Sequence, residues 1–164
     1  MAHHREGPFA DAVSDLEYPM FVVTAAAGDR RAGCLVGFAA QCSISPPRFM
    51  AWISHRNHTL AVARQAEVLG VHLLSADDHA LAELFGSRCG EEVDKFAGVA
   101  WHEGPGGVPL LDACTRWFVG RILDRFDSGD HDGFLLEPVE AGTGPWSGQL
   151  GFSAVQDLEP GHDA

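Results

Sequence analysis

Residues 33–47 read GCLVGFAAQCSISPP, and this run decides what kind of fold the chain adopts. Apolar Cys34, Leu35, Val36 and Phe38 stand among the small residues Gly37, Ala39 and Ala40. The composition predicts a strand over Gly33–Ser43, stopped by Pro46-Pro47. Small side chains along a strand leave room for a flat ligand against the backbone. A tight strand or helix contact needs the same small residues, and on this run alone that is the better explanation.

Outward from this strand the chain reads as more strands. Met20–Ala26 (MFVVTAA) is apolar and β-branched, and Gly28-Asp29-Arg30 is a turn signal, so the two runs form a hairpin. Phe49–Ser54 and Val68–Leu74 are further strands. Trp117–Leu123 and Gly133–Val139 flank the turn Ser128-Gly129-Asp130 as a second hairpin. Pro138 places the last strand at an edge or ends it. Helices fall between: Asn57–Ala66, capped by Asn57 or Thr59, and one opened by Ser75 with Asp78 three positions on. Leu81, Leu84 and Phe85 form the apolar stripe of the second, and Gly86 is its stop. Glu91–Phe96 adds a helical turn. The fold class is mainly β with inserted short helices, a barrel or a sandwich. No GxGxxG follows a strand, which argues against a dinucleotide-binding Rossmann domain.

The 164 residues suit one domain, 1–164, with a core of about 18–142 and loose termini at 1–17 and 156–164. A hydrophobic share of 46% against 21% charged marks an ordinary globular chain. No apolar run is long enough to cross a bilayer, and the first residues do not resemble a secretory leader. The four cysteines, at 34, 42, 89 and 114, contain no CxxC pair. They read as free thiols in a reducing cytoplasm rather than as a metal or disulfide framework.

A net charge of −12 disfavours nucleic acid and anionic membranes as partners. Yet residues 30–66 hold no Asp or Glu and carry Arg30, Arg31, Arg48, Arg56 and Arg64 with His55 and His58. That basic island suits a small anion, or a surface balanced by acids elsewhere in the fold. Within it, Arg56-Asn57-His58-Thr59 sits where a strand gives way to a helix start, a chemistry that suits phosphate and also plain capping. His131 lies on a turn between Asp130 and Asp132. Lys95, the only lysine, precedes Phe96 in DKFAGVAW. No nucleophile motif or HExxH pairing is present, so no metal is expected, and any redox chemistry would belong to a cofactor.

In order and spacing these segments resemble the flavin reductase-like family, whose fold is an FMN-binding split β-barrel. Gly33, Ser43, Pro46 and Pro47 fall in register with that family's long strand. Arg56–Thr59 is similar to its phosphate loop, and Asp94–Trp101 to its D-[RK]-F-A-G-V-x-W. Pro109-Leu110-Leu111 and Asp127–His131 complete the resemblance, which runs from about Tyr18 to Gly142. The family's hydroxyls fall at Leu35 and Gly37 here, its aromatic at Ala39 and its next serine at Gln41. Backbone groups would therefore make the flavin contacts at those positions.

The resemblance implies an FMN-binding, NAD(P)H-dependent oxidoreductase that passes electrons through flavin to a free flavin or small acceptor. Gln41, Cys42 and Ser43 would line the ring, and Arg56, Asn57 and Thr59 would hold the phosphate. Lys95 and Phe96 would flank the pocket, and His131 would act at the nicotinamide. A homodimer is expected, with a monooxygenase as a further partner. The alternative is a module that binds flavin, deazaflavin or haem without turnover.

Overall fold

The computed structural model describes residues 6–87 and 94–158. Among the described residues there are nine strands. β1 (Phe21–Ala27), β2 (Arg30–Val36), β3 (Ala39–Ser43), β4 (Arg48–Ser54), β5 (Val68–Leu73), β8 (Trp117–Asp127) and β9 (His131–Gly142) form one antiparallel sheet. Its order is β2-β1-β5-β8-β9-β4-β3. β6 (Trp101–Glu103) and β7 (Pro109–Leu111) make a separate pair. The helices are α1 (Pro8–Val13), α2 (Thr59–Ala63) and α3 (His79–Ser87).

The strand foreseen over Gly33–Ser43 is two strands, and the break explains the barrel. β2 ends at Val36 and β3 begins at Ala39, yet they form the two opposite edges of the sheet. Three Cα steps span at most about 11 Å, so the edges must come close to each other. The sheet therefore curls into a barrel that remains open at this seam, a split barrel. Phe38 spans the seam: its carbonyl accepts a hydrogen bond from the Trp52 N–H of β4 (2.9 Å).

Alternation along the strands fills the barrel. Phe21, Val23 and Ala25 of β1 face Ala32, Cys34 and Val36 of β2, and join Ile53, Leu69, Val71, Phe134 and Leu136 in one core. α2 closes one end by inserting Leu60, Val62 and Ala63 into the same core. A second core lies outside the barrel, where Val22 and Leu74 meet Phe85 of α3, Phe96, Leu111 and Leu150. β1 is thus buried on both faces, which is why MFVVTAA does not alternate and its one polar residue, Thr24, donates its hydroxyl to the Pro109 carbonyl (2.6 Å).

Other boundaries shifted for physical reasons. α2 is only five residues long. Its lead-in is a turn in which Asn57 Oδ1 accepts from the Thr59 N–H (2.9 Å), so the cap is Asn57. α3 begins at His79, with the Ser75 N–H donating to Asp78 Oδ2 (2.8 Å) ahead of it. Gly86 does not stop α3 but lies inside it, because a Cβ there would sit 2.7 Å from Leu35 of β2. The foreseen turn over Glu91–Phe96 falls partly outside the described residues, and a 3₁₀ turn is seen at Lys95–Gly98. β9 lies inside the sheet, not at its edge. Pro138 is tolerated because pairing with β4 stops at Phe49–Leu136, while a bulge on the β8 side opens beside it. Within the stretch 1–17, Pro8–Val13 forms a short helix with no buried residue.

Candidate flavin site at the barrel seam

The seam opens into a cavity of about 530 Å3. Cys34–Phe38 of the β2–β3 crossing line one side, and Phe85 and Gly86 of α3 another. Ser54, Asn57 and His131 supply polar groups, and residues of α1 and the segment after it, including Ala10, Ser14 and Leu16, close over it. The volume lies within the range of small-molecule sites. Gly37 belongs to this wall, and a Cβ there would press towards Met20 Sδ at 3.4 Å.

A second cavity of about 510 Å3 adjoins the first, lined also by Ala39, Ala40, Ser128 and Asp130. Tyr18, Phe38, Trp52 and His131 border both. Phe38 is the centre of this shared wall, with Tyr18 packed edge-on at 5.5 Å and the His131 ring at 5.2 Å. His131 Nδ1 is hydrogen-bonded to Asp130 Oδ1 (2.7 Å), which fixes the ring's orientation from the turn.

Of the residues singled out in the sequence, Asn57 and His131 line the main cavity. Arg56 is exposed on the adjoining turn, its N–H donating to Ser54 Oγ (3.2 Å). Thr59 is 1% exposed and its hydroxyl lies beside the Cys34 thiol. Gln41, Cys42 and Ser43 sit on edge strand β3, outside both cavities, and Gln41 Nε2 donates to the Ser43 carbonyl (3.1 Å). Phe96 lies in the second core, and Lys95 is buried at 5% exposure. Lys95 Nζ donates to the carbonyls of Phe85 (2.9 Å) and Gly33 (3.2 Å), tying α3 to β2 behind the cavity wall.

Sequence reading passed over Tyr18, Cys34, Phe38 and Trp52. Trp52, in an otherwise apolar strand, carried no signal beyond ordinary packing. Phe38 did carry one, being the single bulky residue between Gly37 and Ala39. Burial pushes the Cys34 thiol up to about 11, so it meets the cavity as a neutral thiol.

The basic island is partly balanced in space. Arg48 pairs with Glu137 (3.4 Å), Arg64 with Asp132 (3.0 Å), and Arg31 lies over the Trp101 ring (4.7 Å). His55, Asp127 and Asp132 bring donor atoms within 4.8 Å of one another, but Arg64 already occupies the Asp132 carboxylate.

Comparison with known proteins bears on the family and the fold. Residues 13–151 match the family model described as flavin reductase like domain. An NADH:riboflavin 5'-phosphate oxidoreductase of Streptomyces pristinaespiralis is 38% identical over 143 residues, 83% of this chain and 77% of that protein. An FMN reductase (NADH) of Bradyrhizobium diazoefficiens is 29% identical over 124 residues, 76% of this chain and 68% of the relative. Among solved structures, a homologue of nitrilotriacetate monooxygenase component B from Mycobacterium thermoresistibile superposes with a TM-score of 0.75. Its identity is 20%, over 87% of this chain and 84% of the other, so that likeness concerns the fold.

Proposed function

The chain belongs to the flavin reductase like domain family, and from that premise we propose that it is an FMN-binding, NADH-dependent flavin reductase. The observation that carries the reading is the seam cavity, apolar over most of its wall and polar at one end. A planar ring fits the mainly apolar wall at Leu35–Phe38, where Gly37 leaves room, and a phosphate fits the end formed by Ser54, Asn57 and the neighbouring Arg56. When bound, FMN supplies the hydride-accepting ring.

The chain's own residues do the rest. Backbone groups at the β2–β3 crossing orient the ring, since Leu35 and Gly37 offer no hydroxyls. Arg56 and Asn57 neutralise and bind the phosphate. The apolar wall keeps water from the reacting face, and the α1 segment extends that cover. His131, oriented by Asp130, borders both cavities and positions the nicotinamide beside the flavin.

The acceptor is free flavin or a partner enzyme that consumes reduced flavin. The name of the Mycobacterium neighbour, a monooxygenase component, supports the latter as a class. Free thiols at Cys34, Cys42 and Cys114 suit a reducing cytoplasm. No helix among the described residues is long and apolar enough to cross a membrane. NADH oxidation by the purified, FMN-loaded protein tests the reading. Turnover with added flavin is expected, and tight FMN binding without NADH oxidation would replace the reductase with a flavin-carrying module.

A further inference from the structure

Asp132 is a buried carboxylate that the proposed reaction does not use. It is 4% exposed and is the second residue of β9, on the strand face it shares with the core residues Phe134 and Leu136. His55 Nε2 lies 2.8 Å from its Oδ1, and Arg64 Nε donates to its Oδ2 at 3.0 Å. Arg125 Nε stands 3.8 Å away. Those partners come from three places: the turn after β4, the C-terminal end of α2, and β8. Burial alone would raise the pKa of Asp132, yet the hydrogen bonds from Arg64 and His55 hold it below the ordinary carboxylate value. It is therefore a charged anchor at neutral pH.

What it anchors matters. Successive residues of a strand point to opposite faces, so His131 faces the cavity while Asp132 faces inward. Ser54, the last residue of β4, lines the cavity, while His55 in the turn after it reaches Asp132. Ser54 pairs with His131 across the sheet, and the His55 N–H donates to the Asp130 carbonyl (2.8 Å). One carboxylate thus fastens both flanks of the cavity's polar end from behind. It holds the turn carrying Ser54, Arg56 and Asn57, and the hairpin carrying His131.

We propose that Asp132 is a positioning residue for the anionic end of the cofactor. Through His55 and Arg64 it presets the Ser54–Thr59 turn in the shape that receives a phosphate. Without it, Arg64 and the turn must be ordered at the moment of binding, and that entropy is charged to affinity for the phosphate alone. The inference rests on the phosphate placement given above.

The test is titration of FMN and of riboflavin into the intact protein, followed by flavin fluorescence. Asp132→Asn keeps the volume and removes the charge. It should weaken FMN about tenfold, the scale of one charge-assisted hydrogen bond, and change riboflavin by less than about twofold. Asp132→Glu, which restores a carboxylate, should recover part of the loss. Should Asp132→Asn fail to fold, Arg64→Ala carries the test instead, since its side chain is half exposed. It should shift the same preference in the same direction by a smaller factor. Where both fold, the double variant should lose less than the two losses combined, because the two side chains act as a unit. Equal weakening of FMN and riboflavin, or no loss of FMN, would overturn the proposal. Arg56→Ala separates the two levels of argument. If it lowers the FMN preference and the Asp132 and Arg64 variants do not, the anchor alone is wrong. If none of them changes that preference, the phosphate placement falls, and the anchor with it.

Discussion

His131 stands where the two cavities meet, and its neighbours define what it can do. Asp130 holds Nδ1, and the Phe38 ring packs against the imidazole at 5.2 Å. Such a ring can orient a second planar ligand without gripping the first. His131→Ala should therefore lower kcat/KM for NADH by about ten- to a hundredfold while FMN affinity stays nearly intact. Steady-state kinetics beside FMN titration check this, and loss of flavin from the variant would reassign the residue. Lys95 shows the opposite relation between prominence and role. A lone lysine beside an aromatic suggested a pocket, but its ammonium is spent on two backbone carbonyls between α3 and β2. A cation that satisfies carbonyls and one that waits for a ligand are the same letter in a sequence. Only the third dimension separates them. That Asn57 and His131 sit at turns was legible, but capping accounts for the first and a solvated turn for the second, so their roles came from the resemblance alone.

β5 carries a histidine that no periodicity could reveal. His72 is fully buried between β1 and β7: its Nδ1 donates to the Val22 carbonyl (3.0 Å) and its Nε2 accepts from the Leu111 N–H (3.0 Å). An accepting Nε2 must be unprotonated, so the folded protein holds this ring neutral. Burial lowers its pKa from 6.5 to about 4. The unfolded chain takes up the proton first as pH falls. Stability is therefore complete above about 6.5 and is lost progressively down to about 4, by a total of about 3 kcal/mol. Denaturant midpoints measured across that range should fall, and in His72→Gln the slope over this window should flatten. An unchanged slope would mean that other groups set the acid limit. Element existence was legible because hairpin turns and apolar strands are local signals. The break at Gly37-Phe38 was not, because a strand crossing from one sheet edge to the other keeps its apolar composition throughout. The length of α2 was likewise hidden. Its helical spacing continues to Ala66, but the described helix ends at Ala63, where the chain turns into β5.

At the scale of the whole molecule, the barrel leaves surfaces that a single chain does not cover. β2 and β3 are open edges, and unpaired edges invite pairing or need protection. The distal half of β8, Leu123–Asp127, is exposed on both faces, although Leu123 and Phe126 are apolar. Val139 is half exposed on β9, and Ile44, just beyond β3, is 85% exposed. β9 lies beside β4, and β4 beside β3, so these residues belong to neighbouring parts of one sheet. Beside β8, β9 is buried and paired to β4, so only the distal half of β8 is bare, and a second copy could bury its apolar side chains. A stable dimer needs about 1,200–2,000 Å2 of buried surface. We therefore expect a homodimer, joined through the β8–β9 hairpin and the β3 edge, close to the cavity that Ala39 and Ala40 border. Sedimentation at micromolar concentration should give twice the 17.6 kDa chain mass. Phe126→Asp, which places a charge in the apolar strip, should shift the protein towards monomer. Placed as proposed, the interface also supports the flavin site, so the monomeric variant should bind FMN more weakly while its circular dichroism spectrum stays native. A wild-type monomer that binds FMN at full strength would show that the barrel completes its site alone, and that the exposed strip serves another partner.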